Sequence, residues 1–214
     1  MPGLGVLFFG EWALAVKTLA NAPKDFKEAK KKALLLEAHF FRAKIIEGLG
    51  AQAPAGKAFK PLAPSTIAMR KFLGFKGTKA LLRRGDLRNS IVVHDLGEEV
   101  FVGILRQAKT RDGQPLIDVA KLNEYGSKPI VIKITPKMAA LLHMAFRKAG
   151  GAMNRMGPPR ASTGVIVVKI PARPFLARVF EKYGGNEEAQ RRYAERVGAI
   201  MKTKGPWRVL KDMA

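Results

Sequence analysis

The sequence contains no cysteine, which excludes disulfides, cysteine metal sites and cysteine nucleophiles. Histidine is scarce, three in 214 residues, which argues against a histidine-rich metal centre. Acids are few, 17 against 39 Lys and Arg, and they are scattered. Glu98-Glu99 falls in a turn and Asp112 at a loop tip, while Asp118 and Glu124 are spaced so that they do not share a helical face. Nothing gathers carboxylates around a catalytic metal. No phosphate-binding loop or nucleophile triad signature occurs, and Gly3-x-Gly5 has no strand before it. The chain therefore reads as a non-enzyme with no catalytic residue, no metal ligand and no cofactor. No apolar run reaches the roughly 18 residues of a membrane span. The apolar start, Met1 to Phe9, lacks the basic residues that open a secretory signal. A soluble product made in the cytoplasm, without membrane contact, is expected.

What is abundant is positive charge. The formal net charge of +22 implies a polyanionic neighbour, an acidic protein partner or a charged surface. The hydrophobic fraction, 47%, is that of an ordinary globular protein, and a chain this long buries roughly 70% of its unfolded surface.

Leu4 to Phe9 reads as a short strand and Glu11 to Ala20 as a short helix, with a break at Asn21-Ala22-Pro23. A long helix follows over Pro23–Glu47. Phe26, Ala29, Ala33, Leu36, Phe40 and Ala43 recur at spacings of three and four and predict one inward stripe. Leu34, Phe41 and Ile45 widen it. Lys24, Lys27, Lys30, Lys31 and Lys32 make a solvated face or a surface for phosphate. Gly48 to Pro64 is a Gly, Ala and Pro loop. Gly85 marks a turn before one helical turn, which feeds a hairpin with strands near 91–95 and 99–105. A helix over Leu116–Tyr125 ends at Gly126. A third strand lies near 129–134, and Thr135-Pro136 opens a helix to Lys148. His39 and His143 border apolar faces and read as structural. Ala149–Ser162 is a long loop. Asn186 caps a last helix with a narrow edge of Tyr193, Val197, Ile200 and Met201 and an otherwise basic surface. Such a helix is expected on the surface or against a neighbouring subunit.

The fourth strand, near 164–170, runs into Ile170-Pro171-Ala172-Arg173-Pro174-Phe175-Leu176. Pro171 cannot donate to a ladder, and Pro174 suits the first turn of a helix. The segment predicts strand, rigid corner and helix, with Arg173 held at the corner. The fold class expected is α+β: an antiparallel sheet of about four strands packed on the long N-terminal helix, with a C-terminal helical extension. Residues 1–184 form the domain and 185–214 the basic helix and tail.

Three stretches together resemble a known family. The first runs from Leu62 to Ile91, with Thr66, Ile67 and Arg70, then Leu81-Leu82 and Gly85-Asp86-Leu87-x-x-Ser90-Ile91. The second is Leu122-Asn123-Glu124-Tyr125-Gly126, in the place of a His-Glu-Phe-Gly signature, with Asn123 where the histidine stands. The third is Ile170 to Leu176. In order and spacing they resemble the phage tail-completion or virion-morphogenesis family, found at the head–tail junction of phages similar to Mu and to the lambdoid siphophages. The resemblance covers roughly residues 1 to 183. It implies a structural protein of the virion neck, assembled as a homo-oligomeric ring, usually a hexamer. Its partners would be the adjoining head–tail connector and the tail terminator or tube proteins, with double-stranded DNA passing transiently through the lumen.

On that reading Glu124, Tyr125, Arg173 and Phe175 are candidates for structural or subunit contacts, and Arg173→Ala is expected to impair assembly more than folding. Lys30, Lys31, Arg155, Arg160, Arg191 and Arg192 are candidates for the DNA channel or for acidic partners. The competing reading is a general nucleic-acid-binding protein, against which stands the core placement of the aromatics rather than their alternation with basic residues.

Overall fold

The computed structural model describes residues 12–148, 164–185 and 187–203. The expected strand over Leu4–Phe9, the loop Ala149–Ser162 and the cap at Asn186 lie outside them. The described chain is α+β. Its elements are α1 (Trp12–Ala51), a 3-10 turn (Pro54–Gly56), α2 (Pro64–Phe72), α3 (Asp86–Asn89), β1 (Ile91–Asp95) and β2 (Val100–Ile104). There follow α4 (Leu116–Tyr125), β3 (Ile130–Lys133), α5 (Pro136–Lys148), β4 (Val165–Val168), α6 (Ala177–Tyr183) and α7 (Glu187–Thr203).

The four expected strands are present but form two separate two-stranded sheets, β1–β2 and β3–β4, rather than one. In the second sheet Ile130 pairs with Val168 and Lys133 with Val165. Prolines limit the ladder at its Ile130–Val168 end: Pro129 precedes β3 and Pro171 follows β4, and neither can donate a hydrogen bond to extend the pairing there.

The break expected at Asn21–Pro23 is absent, and α1 continues through Pro23. Proline removes the bond to the carbonyl four residues back, here Leu19. Leu19 is 68% exposed, so water can satisfy that carbonyl. The inward stripe also differs from expectation. Phe26 and Leu36 are about half exposed, whereas Ala29, Ala33, Glu37, Phe41, Ile45 and Leu49 are buried. These recur every four residues, and each such step drifts about 40° around a helix. The buried line therefore winds around α1, and a stripe fixed to one face misplaces Phe26 and Leu36.

The chain forms two compact units that share α1 and the first hairpin. One contains the described residues up to Phe40, Val93–Phe101 and the described residues from Tyr183. In it, α7 lays Tyr193, Val197, Ile200 and Met201 against Ala29 and Ala33 of α1. The alanines have no long side chain, so the helices can approach closely. The apolar edge is the one the sequence indicates, but its partner is α1 of the same chain. Glu37 is buried here and receives Arg192 Nη2 at 2.6 Å, with Arg196 at 3.3 Å from its second oxygen. The Arg192 guanidinium also lies 4.5 Å from the Phe40 ring centre and donates to the Tyr183 carbonyl. The hairpin turn is closed by the Gly97 N–H on Asp95 and tied to α1 by Lys31–Asp95 at 3.2 Å. The Gly97 N–H and then Lys31 hold the Asp95 carboxyl below its usual range.

The other unit contains Phe41–Val92 and the described residues from Val102 to Lys182. Ile45, Leu49, Pro54, Ile91, Phe175 and Val179 are the largest of its fully buried side chains. Phe41 stacks on Phe180 with ring centres 5.0 Å apart, and Arg42 donates to the Ile91 carbonyl at the start of β1.

Candidate functional site

The segment between β4 and α6 contains both prolines, but the chain bends at Phe175–Leu176 and α6 starts at Ala177, three residues after Pro174 rather than at it. α4 stops beside this segment because Gly126 adopts a positive φ of 80°, which suits glycine. A Cβ there would also come within 3.0 Å of the Ala172 nitrogen and the Ile170 oxygen, so only glycine admits this approach. Backbone and side chain then lock the two stretches together. The Arg173 N–H donates to the Asn123 carbonyl at 2.6 Å, and Ser127 N–H to the Ile170 carbonyl at 2.9 Å. The Ile170 N–H donates to Ser127 Oγ.

Glu124 is the centre of the corner. Its carboxylate accepts the N–H groups of Phe175 at 2.9 Å, Leu176 at 3.2 Å and Ala177 at 2.7 Å. The opening N–H groups of a helix have no partner within it, and the local dipole favours negative charge. Glu124 supplies both, although it lies some fifty positions away in sequence. A carboxylate that is 8% exposed is costly to desolvate, and three charge-assisted bonds offset that cost.

Arg173 is 5% exposed and turns the other way, toward the Gly, Ala and Pro loop. Its Nε donates to the Lys60 carbonyl at 2.9 Å and its Nη2 to the Pro61 carbonyl at 3.1 Å. Burial lowers its pKa from the usual guanidinium value. Arg178 donates to the Lys57 carbonyl at 2.8 Å and Lys182 to the Ala55 carbonyl at 3.4 Å. A loop with little regular structure is thus strapped by three cations from the corner and α6.

The four corner candidates do meet, but they do not face the same way. Glu124, Arg173 and the fully buried Phe175 face inward and are structural. Tyr125, 80% exposed, is the one of the four that presents its side chain to solvent. Asn123, where the family resemblance places histidine, donates to the Val119 carbonyl of its own helix.

The basic candidates are dispersed. Arg155 and Arg160 lie outside the described residues. Lys30 is exposed with its ammonium 5.6 Å from the Phe26 ring centre, Lys31 pairs with Asp95, and Arg191 pairs with Glu195 at 3.1 Å. Arg192 is turned inward onto Glu37 with 14% of its side chain exposed, and so does not serve a channel wall in this conformation. Its helical neighbours gave no hint of this, because Glu37 comes from a different part of the chain. Sequence reasoning also missed a cluster around Arg83, Arg84 and Arg111. The Arg83-Arg84 doublet was its one visible signal.

Among the described residues no group of His, Cys, Asp and Glu is placed to hold a metal ion. Among them also, no helix is long and apolar enough to cross a membrane. No family model, no curated protein and no solved structure matches the chain.

Proposed function

We propose that the chain is a structural subunit of a phage neck or tail-completion ring, which joins the tail to the head around the DNA channel. The observation that carries this reading is the corner. Leu122–Gly126 and Ile170–Leu176, two of the three stretches behind the family resemblance, interlock through Glu124, Asn123 and Gly126. Motifs that form one rigid piece act as one feature of the surface that surrounds them. The reaching role of Arg173 adds the strand of chain that leads into the first stretch.

Assembly finds support in what the described chain leaves uncovered. Val131, Val165 and Val167 lie on one face of the β3–β4 sheet and are 65%, 57% and 62% exposed. Exposed apolar patches and unpaired strand edges are features of surfaces that meet other chains. In this reading a ring of copies, six by the family resemblance, lies in the virion between the head–tail connector and the tail terminator or tube. DNA passes through it transiently.

Light scattering on the purified chain, alone and with tails that lack their head-proximal end, tests the proposal. A closed oligomer, free or bound to those tails, is expected. A chain that stays monomeric in both settings contradicts it. If that monomer also binds DNA tightly and in a salt-sensitive way, the general nucleic-acid binder takes its place.

A further inference from the structure

A positive surface is built by two stretches of the chain in one unit. Phe75–Asn89 carries five basic side chains and one acid, and Arg106–Gln114 three and one. The two stretches meet. Arg84 Nη1 donates to Asp112 Oδ1 at 2.7 Å, and Arg83 Nη2 to Asp112 Oδ2 at 3.4 Å. Arg111 Nε lies 3.7 Å from Asp86 Oδ1. Both Arg83 and Arg84 cover the Phe75 ring, at 4.4 and 5.1 Å from its centre. A cleft of about 160 Å³ opens between Arg84, Asp86, Thr110 and Asp112.

We infer that this Arg83–Arg84–Arg111 face contacts the phosphate backbone of duplex DNA. The guanidinium groups are ordered before any ligand arrives, by one ring and two carboxylates, so little side-chain entropy remains to be lost on binding. They also remain accessible: 43% of the Arg83 side chain and 76% of the Arg111 side chain is exposed. Guanidinium donors match phosphate oxygens in pairs. Positive charge is in clear excess here. After burial, the charges of Arg83 and Arg173 are what lower the pKa of the neighbouring Arg70.

An acidic protein partner would ordinarily bring an apolar anchor to the centre of its contact. The aromatic at this centre, Phe75, is already covered by the two guanidinium groups. A cluster of guanidinium groups that covers its own aromatic suits a polymer of uniform charge. Asp112 also tempers the grip, because it is shared by two arginines. A conduit needs such moderation, since each phosphate contact adds about 0.9 to the salt slope of log K. The inference rests on the ring proposal only for the choice of duplex DNA as the polymer.

The test is anisotropy of a short labelled duplex across a range of salt concentrations. Arg83→Gln/Arg84→Gln/Arg111→Gln should reduce the slope of log K against log salt by about two to three. Lys121→Gln/Lys128→Gln/Lys137→Gln, which removes the same charge from other exposed positions, should retain the wild-type slope. Asp112→Asn frees two guanidinium groups and should tighten binding several-fold at low salt, although it removes ion pairs. Circular dichroism checks folding, and Asp112→Asn carries the test if the triple variant does not fold. A wild-type slope in the arginine triple variant, or no tightening in Asp112→Asn, overturns the inference. So does polyglutamate competing as well as duplex at equal charge. Oligomeric mass, measured separately, reports on the ring, so the two ideas can fail independently.

Discussion

Glu124 accepts three backbone donors, of which that of Phe175 is buried and those of Leu176 and Ala177 are partly buried. Replacement by alanine removes the acceptor and opens a small void. A cost of roughly 2–4 kcal/mol is expected in urea unfolding, because leaving buried polar groups unsatisfied is expensive. Glu124→Gln keeps the shape and one acceptor oxygen, so it should cost less than alanine. Equal stability of Glu124→Ala and wild type would show that water replaces the carboxylate. Arg173 belongs to the same argument. Its buried guanidinium bonds the carbonyls of two exposed loop residues, Lys60 and Pro61, so Arg173→Ala is expected to lower folding stability and not, as the sequence suggested, assembly more than folding. The sequence places both residues at a corner, yet it does not reveal their partners. Glu124 is marked only as the next-to-last residue of a helix, and its three acceptor bonds depend on a chain reversal that no local pattern encodes.

Asp112 offers a reading in pH. Its carboxyl is held below the usual range, first by the hydrogen bond from Arg84 and then by the charges of Arg84 and Arg83. Its unfolded form takes up a proton at higher pH than its folded form does. The pair therefore stabilises the fold above the ordinary carboxylate range, and that contribution is lost as pH falls through the lowered folded value. Carbon-detected NMR titration should show the Asp112 midpoint rising toward the ordinary value in Arg84→Gln. An unchanged midpoint would mean that the ion pair does not persist in solution.

At the scale of elements, Pro23 within α1 is the clearest conflict between local preference and final structure. Proline in a helix interior costs about 3 kcal/mol relative to alanine. The helix continues because both sides are helix-forming and the freed carbonyl belongs to an exposed turn. Pro23→Ala should therefore raise stability by about 1–3 kcal/mol, read from urea unfolding with helicity followed by circular dichroism. A loss of stability would mean that the proline itself is required at this position. The hairpin Ile91–Ile104, the helix ending at Gly126 and the strand–corner–helix around Arg173 were legible, since each rests on neighbours in sequence: alternation, a glycine and a pair of prolines. The grouping of the strands was not legible, because pairing joins distant segments. The partner of α7 was equally hidden. Its apolar edge could be read, but Ala29 and Ala33 offer no bulk by which to recognise a docking face.

For the whole molecule, the excess of positive charge is divided. Part of it is spent inside the chain: Arg173, Arg178 and Lys182 hold loop carbonyls, and Arg192 and Arg196 answer Glu37. Part remains outward in the Arg83–Arg84–Arg111 face. A count of basic residues alone therefore overstates the field available to a partner. The exposed valines of β3–β4 and the exposed Tyr125 are the surfaces on which a neighbouring copy would have to act, while the interlocked corner behind Tyr125 keeps its position fixed.

Cryo-electron microscopy of intact phage particles carrying this chain with a visible label tests the central proposal most directly. The account predicts label density in a closed ring at the junction of head and tail, around the DNA channel. Particles that mature without the polypeptide, or that carry it anywhere other than the neck, would contradict it.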